Sequence, residues 1–167
     1  MLESGSADTP HWEPNDRGIQ YLVERGRLER VTPRRATAEH LITEAHRHLV
    51  SARVLADTDD VALAFVAAYD AARKALSAIL AVQGIRAKGV EGGHAVLLDA
   101  IRPQFPDDRQ VLQRFDWMRT VRNNTEYPDF ATPSASQEDV ADAQAAAQAI
   151  VDLATRFTGS HHTQTNS

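Results

Sequence analysis

The chain has 167 residues, 43% of them hydrophobic and 25% charged, with a formal net charge of −5 and no cysteine. One ordinary domain fits that length, and the missing cysteine excludes disulfides, thiolate metal sites and cysteine nucleophiles. The acidic balance argues against broad, sequence-blind binding to nucleic acid, and no apolar run approaches the roughly 20 residues of a membrane span.

Residues 1–14 are polar and contain Pro10 and Pro14, which predicts a disordered tail. They lack the basic and apolar regions of a secretory signal, so a cytoplasmic location is expected. Residues 15–35 are read as a short helix and a connector. The helix is predicted over Arg17–Arg25, with Asn15 or Asp16 as its cap and Ile19, Leu22 and Val23 on its apolar side. Gly26 is placed to stop it, and Leu28 and Val31 to lay the connector onto the main body.

The first long helix is predicted over Thr37–Leu55. Ala38, Leu41, Ile42, Ala45, Leu49, Ala52 and Leu55 repeat at steps of three and four. Glu39, Glu44, Arg47 and Arg53 lie opposite. Asp59 or Asp60 caps a second long helix over Asp60–Gln83, whose inward positions are Ala62, Phe65, Val66, Tyr69, Ala72, Leu76, Ile79 and Leu80. Its many alanines favour the helix and permit close helix–helix approach. Gly84 is the stop, and residues 84–93 read as a glycine-rich loop.

A short helix is predicted over His94–Ile101, ended by Pro103, with His94 as its cap. A third long helix spans Asp108–Glu126 on the apolar line Val111, Leu112, Phe115, Met118 and Val121. Pro128 disfavours helical angles at Tyr127 and ends it. Residues 128–135 are read as a loop. The last helix covers Gln137–Phe157, capped by Ser134 or Ser136, with Val140, Ala143, Ala147, Ile150, Val151, Ala154 and Phe157 facing inward. Residues 158–167 are expected to be disordered. No stretch alternates at period two for long enough to predict a strand. The expected fold is all-α: an antiparallel four-helix bundle, residues 36–157, with additional short helices.

Charge is unevenly spread. Residues 17–53 hold eight Arg and four Glu, whereas residues 123–155 hold six acids and no Lys or Arg. Solvated helix faces account for this, and a basic surface for nucleic acid or an acidic partner is the alternative. No Asp, Glu and His set has a recognisable metal spacing, so neither a metal nor another cofactor is expected. Of His40, His46 and His48, only His40 and His48 can share a helix face. His161 and His162 fall in the tail.

The segment Arg119-Thr120-Val121-Arg122-Asn123-Asn124-Thr125-Glu126-Tyr127 carries the chemistry. On a helix, Phe115, Arg119, Arg122 and Glu126 form one stripe. Arginine grips phosphate with two prongs and keeps its charge. Stabilisation of cations by the helix C-terminus, together with an Arg122–Glu126 pair, explains the same pattern without any ligand. On the second helix Asp70, Arg73 and Lys74 are polar within an apolar stretch. Asp70 and Lys74 are spaced to pair, either as a solvated face or as part of a cleft.

The run R-N-x-x-E-Y at the end of the third long helix resembles the motif of the HEPN family: an Arg, a polar residue after it, and a His four to six positions beyond the Arg. The stretch AYDAARKALSAILAVQG, residues 68–84, is similar to the second helix of that family. The resemblance covers residues 36–157. It implies a bundle that dimerises through its motif helices, with Arg and His of both subunits lining a cleft that cuts RNA without metal. It also implies, as partner, an antitoxin-type nucleotidyltransferase in toxin–antitoxin or defence-type systems. Other members bind nucleotides or act as scaffolds.

Carried over, Arg122 matches the motif arginine and Asn123 the polar residue. The position five after Arg122 holds Tyr127 in place of histidine. A free tyrosine, with a pKa of about 10, is a poor base near neutrality. The expected catalytic set is therefore Arg122, Tyr127 and Glu126, with Arg119, Asn123, Asp70 and Lys74 binding RNA or a nucleotide. Two alternatives stay open: a non-catalytic dimerisation module, and a DNA-binding protein using Arg30, Arg34 and Arg35.

Overall fold

Asp16 starts the first helix, its carboxylate accepting hydrogen bonds from the backbone of Gly18 and Ile19 at 2.8 and 3.2 Å. In the computed structural model, which describes residues 16–89, 93–127 and 134–160, this helix is α1, Arg17–Glu24. It presses Ile19 and Leu22 into the core. The chain continues through β1 (Leu28–Arg30), α2 (Arg35–Ala56), α3 (Val61–Val82), β2 (Ile85–Ala87), α4 (Gly93–Ile101), α5 (Arg109–Glu126) and α6 (Gln137–Ser160). Two 3-10 turns, Arg102–Gln104 and Pro106–Asp108, lead from α4 into α5. The fold is an all-α helical bundle, and the strands are a small addition to it.

α3 is the axis. It packs on α2, α5 and α6, and α4 and β2 also rest against it. Buried residues run around most of its circumference, from Ala64 and Phe65 to Leu80 and Ala81. Small alanines let neighbouring backbones approach, while Phe65, Tyr69, Leu76, Ile79 and Leu80 fill the space between them. Ala62, expected to face inward, is exposed instead, because it lies in the first turn, beyond the packed length of the helix. The short turn Asp57–Asp60 folds α2 back onto α3, and Asp60 caps α3 by accepting from the backbone of Leu63 at 3.1 Å.

The strands correct the sequence reading. β1 and β2 pair antiparallel, with Leu28 opposite Ala87 and Arg30 opposite Ile85. Three residues are too few to show period-two alternation, so a connector and a loop were all that the pattern could predict there. Gly84 makes the turn out of α3 with φ +69. Its carbonyl accepts from the Val31 backbone at 2.9 Å, pinning the N-terminal connector to the bundle.

At the other end, Ser136 and Asp139 satisfy each other's backbone at 2.9 and 3.1 Å, a capping box for α6. The Thr125 hydroxyl accepts from the Ala135 backbone at 3.0 Å, tying the end of α5 to the start of α6. α6 runs on to Ser160, so residues 158–160, expected to be disordered, are helical. The expected tails over residues 1–14 and 161–167, and most of the expected loop at 128–135, lie outside the described residues.

Candidate functional site

Tyr69 is the floor of the site. Its side chain is fully buried in α3, and its ring stacks on Phe115 of α5 with centroids 5.3 Å apart and planes 11° apart. One face is thus covered by an aromatic ring. The Arg122 guanidinium lies 5.6 Å from the ring centroid, a cation–π contact with the electron-rich ring. Phe115 and Arg122 are two helical turns apart on α5, so the stripe seen in the sequence sets both against the same tyrosine.

The hydroxyl of Tyr69 meets Nδ1 of His94 at 2.7 Å. His94 is the second residue of α4. It does not cap the helix as expected, since its ring turns in to the phenol. Burial pushes the Tyr69 phenol up to about 12, against the pull of Arg122 and Arg73 in the other direction. The phenol therefore keeps its proton. It has no other hydrogen-bond partner among the described residues, so that proton is directed to Nδ1. The ring's own proton then sits on Nε2, which makes no hydrogen bond to a described residue. Burial, then Arg73 and Arg122, hold the His94 imidazole below its ordinary 6.5, while Asp70 pulls it upward. At neutral pH His94 is an uncharged N–H donor beside arginines.

Each of those arginines is balanced by a carboxylate on its own helix. Arg122 Nη2 meets Glu126 Oε2 at 2.8 Å, Arg73 Nε meets Asp70 at 3.2 Å, and Arg119 Nη2 meets Asp116 at 3.0 Å. The Arg122–Glu126 pair, at one helical turn, adds only about 0.2–0.5 kcal/mol. The side chain of Arg122 is 24% exposed, and its Nε is buried without a hydrogen-bond partner among the described residues. A guanidinium with one unmatched N–H and a weakly held carboxylate can turn to a competing anion at small cost.

Of the residues chosen from sequence, Arg122, Arg119 and Asp70 gather around Tyr69 and His94, with Glu126 bound to Arg122. Lys74 does not join them. It reaches Glu44 of α2 at 3.7 Å, and Asp70 pairs with Arg73 rather than with Lys74. The reason is angular: Lys74 points to the α2 side of α3. Asn123 is exposed. Tyr127 is 78% exposed at the end of α5, its backbone N–H donating to the Asn123 carbonyl. Within one subunit Arg122 turns inward and Tyr127 outward.

His94 and Tyr69 are the members that sequence reasoning did not place in the site. His94 lies 28 positions before Arg122, and no local spacing links them. The one signal was a histidine directly after a glycine pair, at a helix start. Among the described residues no group of three or more His, Asp or Glu could hold a metal ion, and no helix is long and apolar enough to cross a membrane.

A family comparison decides the lineage: the family model for the HEPN domain matches residues 38–157. The chain belongs to the HEPN family. That family is related to nucleotides and RNA, and its domains often dimerise. No curated protein and no solved structure matches this HEPN chain. α1 and β1 precede the matched segment.

Proposed function

We propose that the Arg122–Tyr69–His94 cluster binds a phosphate of RNA, and that the protein is the effector half of a two-gene toxin–antitoxin or defence-type system. The observation that carries this reading is the His94–Tyr69 bond at 2.7 Å beneath Arg122. It presents a neutral Nε2–H and a guanidinium to the same space. A phosphate oxygen accepts from both, and Glu126 yields Arg122 to it. Arg119 and Arg73 add positive potential around the bound charge. Bases stack on exposed Tyr127, and Asn123 orients the strand.

Cleavage is the second reading, and one observation favours it: His94 supplies, from α4, the imidazole that the motif position lacks. This needs the other tautomer of His94, in which Nδ1–H donates to the Tyr69 oxygen and the bare Nε2 takes the 2′-hydroxyl proton. The 2′-oxygen bonds to phosphorus, the bond from phosphorus to the 5′-oxygen breaks, that oxygen takes a proton from water, and the hydroxide so formed takes back the proton held on Nε2. The products are a 2′,3′-cyclic phosphate and a 5′-hydroxyl, with no metal involved.

In this reading the motif helices α5 form the dimer contact, and a nucleotidyltransferase-type antitoxin silences the cluster when it is bound. Expression of the chain alone is expected to slow growth, and Arg122→Ala to relieve it. Purified protein is expected to bind single-stranded RNA, with Arg122→Ala and His94→Ala each weakening it about tenfold or more, as charge-assisted hydrogen bonds predict. Unchanged binding by both variants contradicts the reading. Cyclic-phosphate products in chelator separate cleavage from binding alone.

A further inference from the structure

A cavity of about 790 Å³ lies between the N-terminal connector, the β1–β2 ladder and the bundle. It falls within the range of roughly 300–1,000 Å³ typical of small-molecule sites. Its wall combines apolar side chains with cations. Leu80 of α3, Ile85 of β2 and Leu97 of α4 are its buried apolar residues. Arg34 and Lys88 are exposed at its rim, with Arg73 and Arg86 completing four cations. Among the described residues no carboxylate lines it.

The balance of charge narrows the ligand. Arg73 is matched by Asp70, and Arg86 by Glu29 at 2.6 Å across the strand pair. Arg34 and Lys88 have no carboxylate partner among the described residues. Two uncompensated positive charges match a phosphate monoester, which carries about −1.5 to −2 near neutrality. A single carboxylate leaves one of them unanswered. The apolar interior would be poorly filled by inorganic phosphate alone.

We propose that this cavity binds a small phosphate monoester with an apolar or aromatic body, the phosphate between Arg34 and Lys88 and the body against Leu80, Ile85 and Leu97. The hydroxyls of Thr32 and Thr37 stand at the same wall and suit the polar atoms between head and body. Arg34 and Thr32 precede the segment that matches the family, so the site depends on this chain's N-terminal connector. Arg73 and His94 belong both to this wall and to the Arg122 cluster, which makes the two sites neighbours. The proposal does not rest on RNA binding.

Naphthyl phosphate, inorganic phosphate and naphthol, titrated into the full chain by calorimetry, test it. Saturable binding of naphthyl phosphate is expected, about tenfold or more tighter than either fragment, because head and body bind together. Arg34→Ala and Lys88→Ala, both at exposed positions and checked for folding by circular dichroism, are each expected to weaken it severalfold. Arg122→Ala is expected to leave it unchanged while RNA binding falls. The proposal is overturned if naphthyl phosphate shows no saturable binding or binds no better than the fragments. Unaltered binding by the Arg34→Ala/Lys88→Ala double variant, or loss of binding in Arg122→Ala, overturns it too.

Discussion

The Tyr69 hydroxyl donates its proton to Nδ1 of His94 across 2.7 Å, and that bond leaves the ring's own proton on Nε2. Tyr69→Phe keeps the stack on Phe115 and removes only the hydroxyl. A loss of about 0.5–1.5 kcal/mol in urea unfolding is expected for one hydrogen bond. The pH dependence follows from the two titrations. The folded state resists protonating His94, whereas the unfolded chain takes up that proton near 6.5. The contribution is therefore present above pH 6.5 and is lost as pH falls from there through the lower folded value. Tyr69 acts oppositely: the folded state holds the phenol proton up to about 12, against 10.0 in the unfolded chain, so stability falls as pH rises between them. Urea midpoints measured from pH 5 to pH 12 check both slopes, and Tyr69→Phe removes the alkaline one. Because Arg122 helps to hold the imidazole down, Arg122→Gln is expected to raise the His94 titration seen by NMR. Sequence periodicity led to Arg122 and Arg119, since both sit on the stripe that starts at Phe115. It could not lead to His94, whose approach to Tyr69 is set by how α4 docks on α3.

Helix ends were legible because capping chemistry is local. Asp16, Asp60 and Ser136 each sit where a side-chain oxygen must answer free N–H groups, and each does. The strand pair was not legible, because β1 and β2 are far apart in sequence and neither is long enough to carry a pattern. Gly84 shows how tightly that ladder is joined to α3. A Cβ there would sit 2.7 Å from the Val31 carbonyl oxygen and 2.8 Å from Pro33 Cγ, on top of φ +69. Gly26 has the same φ with open space around it. Gly26→Ala is expected to cost about 1 kcal/mol and Gly84→Ala about 1–3 kcal/mol, from backbone strain plus the clash. Equal urea midpoints for the two variants would show that the connector is not held against the turn. Lys74 teaches a related point: spacing gave the face of α3 it shares with Asp70, while the nearness of Glu44 on α2 decided its partner.

Across the whole molecule, α3 carries the load because it is covered on almost every side. Leu76→Ala leaves a hole in that axis and is expected to cost about 2–5 kcal/mol, whereas Leu63→Ala, at an exposed position, is expected to change stability by about 0.5 kcal/mol or less. The fold class followed from helical periodicity, which four long stretches repeat. The site as a whole did not, because it is assembled from α3, α4 and α5 around one buried ring. Its central claim is that Arg122 and His94 act on one phosphate. The most direct measurement follows the His94 imidazole by NMR while a short single-stranded RNA is added. RNA is expected to raise the His94 titration point, as an anion beside the ring must, and Arg122→Ala to abolish this response. A His94 signal that ignores saturating RNA, while the RNA binds elsewhere on the chain, would contradict it.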